Sequence, residues 1–305
     1  MKPDLSINLA GIKLKNPLMN ASGTFGFGKG FANIKNPELL GALVTKTITL
    51  KSRKGNLMPS IIKIDGGIMN SVGLKNEGIE EFIKKTLPKY QFLKVPVFVS
   101  IAGNSVRDYE KLANILSKIS GISAIEVNTS CPNVHGGNIP FGTDPKVVEK
   151  LARVVKKNSN VSVIVKLTPN VGEIESLAKA AEKGGADAIS LINTVLGLAI
   201  NVNTKKPYLG GNTGGISGPA IKSHGVYRTY EAFNSVKIPI IGIGGISSYK
   251  DVLEYIIAGA TAVGIGTANY SNSKVIKEIL LDLENYMIKN NIERFSDLAG
   301  SLEMN

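Results

Sequence analysis

The segment Glu126-Val127-Asn128-Thr129-Ser130-Cys131-Pro132-Asn133-Val134-His135-Gly136-Gly137 sets a thiol among amides, hydroxyls and glycines. Cys131 is the chain's single cysteine. A lone cysteine is commonly a small buried hydrophobe, but this one follows an apolar run and lies in a loop that continues through Gly142. There it could serve as a proton acceptor once its surroundings lower the ordinary thiol pKa of ~8.5. The local text leaves both readings open. Lys46 and Lys166 each close an otherwise apolar run. Such a lysine either caps its strand toward solvent or faces inward and calls for an anionic partner; two at equivalent ends favour the second. Gly242-Ile243-Gly244-Gly245-Ile246-Ser247-Ser248 and Gly264-Ile265-Gly266-Thr267 are turns that expose backbone N–H groups, the chemistry of a phosphate site. Plain tight turns explain one such cluster, less readily two.

These residues need a frame that gathers them. Short Val- and Ile-rich runs at Leu18–Ala21, Ala42–Lys46, Val97–Ser100, Ala124–Asn128, Val161–Lys166, Ala188–Asn193, Pro239–Ile243 and Ala262–Ile265 read as eight strands. Between them Val106–Ile119, Asp144–Lys157, Glu173–Lys183, Ala220–Val236 and Lys250–Ile257 repeat apolar residues three and four apart, the helical period. Ser105, Asp144 and Ser248 stand as capping residues. Near-continuous apolar strands alternating with helices imply a parallel sheet buried on both faces. Eight such units predict an α/β fold of the (β/α)₈ barrel type rather than an open doubly wound sheet. Ser6–Asn16 predicts a small hairpin under the barrel floor. With no linker, repeat or low-complexity segment, residues 1–305 read as one domain. The barrel gathers the C-terminal strand ends on one face, and those ends carry Ser22, Lys46, Thr47, Ser100, Asn128, Lys166, Asn193, Thr194, Gly244, Gly245, Gly266 and Thr267.

Composition narrows the function. With 43% hydrophobic and 20% charged residues, the 305-residue chain is an ordinary globular protein. The net charge of +12 comes mostly from dispersed lysines, with no basic run; this describes a solvated surface that favours anionic ligands, not a nucleic-acid arm. Apolar stretches such as Leu39–Val44 fall far short of the ~20 residues of a membrane span, and the start carries no apolar signal core, so a cytoplasmic protein is expected. One cysteine excludes an intrachain disulfide and an iron–sulfur cluster held by four thiolates of this chain. His135 and His224 have no metal-ligand spacing, so no metal is expected. No strand-linked G-x-G-x-x-G appears, which argues against a nicotinamide site within the chain.

Taken in order, Ala21-Ser22-Gly23-Thr24-Phe25-Gly26, Thr45-Lys46-Thr47, Asn70-Ser71-Val72-Gly73-Leu74, Asn128 through Gly137, Lys166-Leu167-Thr168-Pro169-Asn170, Thr213-Gly214-Gly215-Ile216-Ser217-Gly218-Pro219 and Gly266-Thr267-Ala268-Asn269 resemble the dihydroorotate dehydrogenases. The resemblance covers roughly residues 5 to 290. It implies an FMN-dependent barrel, one FMN per chain, that oxidises dihydroorotate to orotate in pyrimidine synthesis. By motif, Gly244, Gly245, Gly266 and Thr267 would hold the FMN phosphate, and Ser22, Lys46, Thr47, Ser100, Asn128, Lys166, Ile192 and Gly218 would line the flavin. Family members usually carry Asn where Ser100 stands, which puts that contact in question. Lys46, Asn70, Ser71, Val72, Gly73, Leu74, Asn128, Asn133, Asn193 and Thr194 would surround the substrate. Cys131 would take the proton from carbon 5 while carbon 6 passes hydride to the flavin, with Lys166 stabilising negative charge on the reduced ring.

Within the resemblance, Cys131 and a first strand near Leu18 set aside the membrane-linked branch, which has a serine base and an N-terminal extension. Gly266-Thr267-Ala268-Asn269-Tyr270 and Asn128-Thr129-Ser130-Cys131 are more similar to the NAD-linked branch. A homodimer core is then expected, associated with a second subunit carrying FAD and an iron–sulfur cluster that passes electrons to NAD. A fumarate-reducing homodimer is the alternative. An FMN-dependent tRNA dihydrouridine synthase is a weaker rival, because only Ser273–Asn305 follows the last strand, too little for an added RNA-binding domain. A non-catalytic phosphosugar barrel would leave Cys131 and Lys166 without a role.

Overall fold

A computed structural model describes residues 3–26, 33–130 and 141–305. All eight predicted barrel strands form, within two residues of their expected limits: β1 (Leu18–Asn20), β2 (Leu43–Val44), β3 (Val97–Ile101), β4 (Ala124–Asn128), β5 (Ser162–Lys166), β6 (Ala188–Leu191), β7 (Ile240–Ile243) and β8 (Ala262–Ile265). They pair in parallel, in the order β1-β8-β7-β6-β5-β4-β3-β2. β3 and β4 are buried at every residue, as strands covered on both faces must be.

The cylinder closes between β1 and β2, and there a side chain does part of the ladder's work. The backbone contributes a Met19–Ala42 bridge and Gly41 N–H donating to Leu18 O at 2.8 Å. Asn20, fully buried, adds the rest: its Oδ1 accepts from Val44 N–H at 2.9 Å and its Nδ2 donates to Val44 O at 2.8 Å. Buried backbone groups are almost always paired, and here a carboxamide supplies both halves of the pairing.

The helices follow their sequence signals. α1 (Val106–Leu116) buries Tyr109, Leu112, Ala113 and Leu116; α2 (Pro145–Lys157) buries Val148, Leu151, Ala152 and Val155. Both stripes repeat at three and four residues and lie against the strands. Each fully buried Leu or Val contributes roughly 1.5–3 kcal/mol. α3 (Ile174–Lys183), α4 (Lys222–Phe233), α5 (Tyr249–Ile257) and α6 (Val275–Lys289) continue the ring. Ser105 and Asp144 accept from Asp108 N–H and Lys146 N–H, and Ser248 forms a capping box with Asp251. The expected hairpin pairs Ile7–Leu9 with Ile12–Leu14, turning at Ala10 and Gly11, both with positive φ.

A second sheet was not foreseen from the sequence. Insertions after β2 and β6 form four antiparallel strands in the order Val195–Gly197, Gly214–Ser217, Gly67–Asn70, Ile61–Ile64. Glycine is what lets them approach: a Cβ on Gly67 would lie 2.0 Å from Ser217 O, and one on Gly215 2.0 Å from Thr194 Oγ1. Among the described residues, no helix is long and apolar enough to cross a membrane.

Candidate active site

The last residue of β5 sets the centre. In the parallel ladder Lys166 is opposite Asn128 on one side and Ser190 on the other, so the three side chains share the inward face. Lys166 Nζ donates to Ser22 Oγ at 3.0 Å. Ser22 follows β1, and β1 and β5 stand on opposite sides of the eight-stranded cylinder. The lysine therefore spans the mouth, with 5% of its surface exposed. Sequence reasoning expected an anionic partner; among the described residues the chain offers this ammonium a hydroxyl and no carboxylate.

Lys46 and Thr47 owe their placement to a bulge. Thr45 N–H bonds Phe98 O, but the next ladder bond is made by Ile48 N–H to Ser100 O, one residue later than regular pairing allows. Thr45 Oγ1 fills the gap by accepting from Ser100 N–H at 3.1 Å. Bulges of this kind re-aim side chains beside active sites. This one explains why β2 ends at Val44 rather than at the expected Lys46. Lys46 is left half-buried, and burial, with repulsion from Lys75 in addition, holds its ammonium below the usual lysine pKa.

Thr47 opens a chain of polar contacts along the wall. Its Oγ1 lies 3.0 Å from Ser100 Oγ and accepts from Asn128 Nδ2 at 3.3 Å. Asn128 Oδ1 accepts from Ser130 N–H at 3.1 Å and from Asn193 Nδ2 at 3.5 Å, and Asn193 Nδ2 also donates to Ser130 Oγ at 2.8 Å. Thr194 N–H closes on Asn193 Oδ1 at 2.8 Å. Ser100 is fully buried and turned to Thr47; it supports that residue from behind rather than opening to the mouth.

The unforeseen sheet covers this wall. Asn70 Nδ2 donates to Gly215 O at 3.3 Å, and Gly215 presses on Thr194. In the turn that follows, Ser71 Oγ accepts from Asn56 Nδ2 at 2.9 Å, Val72 O accepts from Asn56 N–H, and Gly73 and Leu74 take φ of 69° and 53°. The next residue, Lys75, is the one whose charge acts on Lys46. Thus the 70–75 segment reaches both sides of the mouth.

The two glycine turns follow β7 and β8, which are paired neighbours in the sheet. Gly244 and Gly245 have φ of 137° and 68°. Among the described residues the N–H groups of Gly244, Gly245, Gly266 and Thr267 have no hydrogen-bond acceptor. The neighbouring helix end is already satisfied: Asp251 Oδ2 accepts from Ser247 N–H and Ser248 N–H, both at 2.9 Å. Lys222 is likewise engaged, 2.9 Å from Asp251 Oδ1 and 2.7 Å from Glu254 Oε1. An anion here would rest on loop amides alone. Thr267 Oγ1 donates to Ser217 Oγ at 2.8 Å, Ile192 N–H donates to Ile243 O at 2.9 Å, and a Cβ on Gly218 would lie 2.7 Å from Gly67 Cα. Four unbonded amides at one end and a crossing ammonium with an amide-rich wall at the other fit a ligand with a phosphate tail and a planar polar ring, as FMN has.

The expected site residues within the described segments therefore converge on one end of the barrel. Cys131 and Asn133 lie outside the described residues. Three participants were missed. Asn20 and Glu126 interrupt apolar strands, a signal that was legible. Asn170, which donates to Thr194 O at 3.1 Å and accepts from Leu196 N–H at 2.9 Å, ties the loop after β5 to the covering sheet and gave no local sign.

Comparison with known proteins agrees with this geometry. The family model described as dihydroorotate dehydrogenase matches residues 4–287. The catalytic subunit of dihydroorotate dehydrogenase B (NAD(+)) from Citrifermentans bemidjiense is 45% identical over 303 residues, 99% of each chain. The protein of the same description from Thermoanaerobacter sp. is 47% identical over 301 residues, and that from Geobacter sulfurreducens 44% over 303, again with 99% of each chain covered. Matched by the family model over most of its length and 45–47% identical to relatives that it covers almost end to end, the chain belongs to the dihydroorotate dehydrogenase family.

Proposed function

We propose that this chain is the catalytic subunit of an NAD-linked dihydroorotate dehydrogenase, oxidising dihydroorotate to orotate in pyrimidine synthesis. The observation that carries the reading is the convergence of Lys166, Asn128, Asn193 and Lys46 on a mouth flanked by four unbonded amides. FMN, when bound, would supply the hydride acceptor.

The remaining chemistry is assigned to the chain. Gly244, Gly245, Gly266 and Thr267 would hold the phosphate through backbone N–H groups, needing no cation from Lys222. Lys166, steered by Ser22, would hold positive charge against the ring, and Ser22, Thr47, Ile192 and Gly218 would shape its slot, with Ser100 acting behind Thr47. Asn70, Asn128, Asn133 and Asn193 would match the donors and acceptors of the pyrimidine ring, with the Ser71–Leu74 turn and Thr194 completing the enclosure. Lys46 would receive the carboxylate, a role that suits an ammonium disfavoured by burial and by Lys75, because an arriving negative charge relieves both. Cys131 is the proposed base for the carbon 5 proton.

A second subunit carrying FAD and an iron–sulfur cluster would take the electrons to NAD, and a homodimer of this chain would form the core. Support comes from the relatives' description as NAD(+)-linked catalytic subunits. The covering sheet and its hairpin also expose Leu196, Leu198, Ile200 and Val202, a surface suited to association. A cytoplasmic location suits this chemistry.

Anaerobic mixing of the purified chain with dihydroorotate should bleach the flavin absorbance, and Cys131→Ala should slow the bleaching at least ~100-fold, the lower range of a positioned base. A flavin untouched by dihydroorotate would refute the substrate, and an unaltered rate in the variant would refute the base. Rapid turnover of the isolated chain with fumarate would transfer it to the homodimeric branch.

A further inference from the structure

Four charged residues are buried among those described: Glu126, Lys166, Arg228 and Asp251. Two are neutralised outside the barrel, Arg228 by Glu231 at 2.9 Å and Asp251 by Lys222 at 2.9 Å. The other two lie inside it. Glu126 is two residues before the inward-facing Asn128 on β4, and so points the same way. Its carboxylate, 3% exposed, receives among the described residues one long bond, from Ser190 Oγ to Oε2 at 3.3 Å, and its Oε1 has no partner among them. Ser190 is in turn the ladder neighbour of Lys166. The carboxylate thus lies beneath the lysine that spans the mouth, within the same enclosed space.

An ionised carboxylate left alone in a protein interior is expensive, and a buried ammonium equally so. The two have opposite sign, and among the described residues neither makes an ion pair within 4 Å and no other fully buried charge lies inside the barrel. We infer that Glu126 is a positioning residue, the buried counter-charge that holds Lys166 extended across the barrel mouth. The arrangement has a reason. A carboxylate in direct contact with Lys166 would occupy the donors that a ligand needs. One set a layer below, reached through Ser190, preserves the charge and leaves the upper face free.

Among the described residues the other titratable groups facing this region are Lys46 at the end of β2, with Lys75 beyond it, and Tyr109 of α1, whose hydroxyl donates to Asn128 O at 2.8 Å. None carries negative charge at neutral pH, so none of these can replace Glu126.

The test is a double-mutant cycle on the flavin-loaded chain, with Glu126→Gln, Lys166→Met and the double variant followed by thermal unfolding. Coupled charges should make the double variant lose less than the sum of the singles, by about 3 °C or more. Additive losses would overturn the inference, whatever the substrate proves to be. Glu126→Gln keeps the shape and the Ser190 contact, so folding should survive. If it does not, the uncharged Glu126→Ala takes its place in the cycle. The second readout is the midpoint potential of the bound flavin, because a displaced Lys166 ammonium would stabilise the reduced ring less. The potential should fall in Glu126→Gln and return toward the parent value in Glu126→Asp. An unmoved potential would overturn the positioning role.

Discussion

The contact between Gly215 and Thr194 makes the covering sheet's role measurable. A methyl group added at Gly215 would lie 2.0 Å from Thr194 Oγ1, 2.6 Å from its Cβ and 3.3 Å from its Cγ2. Rotating the threonine cannot relieve this, because its Cβ is itself too close. Ordinary carbon contacts begin at ~3.5 Å, so Thr194 must retreat by about 1 Å, carrying Asn193, whose Oδ1 it bonds. Overpacking of this kind costs about 1–3 kcal/mol of stability, whereas a displacement of ~1 Å in a positioning residue costs on the order of 100-fold in rate. Gly215→Ala should therefore keep its fold and bind FMN, yet reduce its flavin with dihydroorotate roughly 30–100-fold more slowly. Orotate, titrated through its perturbation of the flavin spectrum, should bind more weakly. Gly197→Ala is the control in the same sheet: its methyl would meet the flexible end of Ile216, Cδ1 at 2.7 Å, and both measurements should stay near wild type. If Gly215→Ala bound orotate and reacted within twofold of the parent, Thr194 and Asn193 would not be substrate residues.

Two further outcomes follow from the β1–β2 junction and from Lys46. Asn20→Leu leaves Val44 N–H and C=O buried without partners, a loss of about 3 kcal/mol or more, and its melting point should fall by roughly 6–12 °C; calorimetry showing less than 2 °C would disprove the junction's dependence on that carboxamide. Because the folded-state pKa of Lys46 is lowered below its unfolded value by burial and then by Lys75, its charge opposes folding at neutral pH, and this penalty fades as pH rises through the folded pKa toward 10.5. Lys46→Met should therefore melt at or above the wild-type temperature near pH 7, with the difference shrinking at alkaline pH, while orotate affinity falls about 10- to 100-fold; a destabilised variant with intact orotate binding would contradict both parts.

The barrel was legible because its strands are buried on both faces and write themselves as uninterrupted apolar runs. β4 and β5 needed nothing else. The helix starts were equally readable, since Ser105, Asp144 and Ser248 act through neighbours two or three positions away. The covering sheet escaped because its pairings are remote: Asn70 and Gly215 stand 145 positions apart, and its short strands carry glycine where side chains would announce a face. Those glycines were visible as a motif, but not as places where one backbone must touch another. Lys166 faces inward as expected but meets a hydroxyl in place of an anion, because a strand end says where a side chain starts and nothing about how far it reaches. The bulge at Lys46 was invisible for a related reason, since one extra residue in a ladder leaves no mark until the partner strand is known.

Asn20 and Ser22 stand two residues apart at the end of β1, one joining the first and second staves, the other anchoring the lysine that crosses the opening. The weakest joint of the cylinder is thus also the abutment of its chemistry. Loosening that joint would be felt first as a mistuned flavin and only afterwards as lost shape, so damage to the scaffold here would masquerade as a catalytic defect.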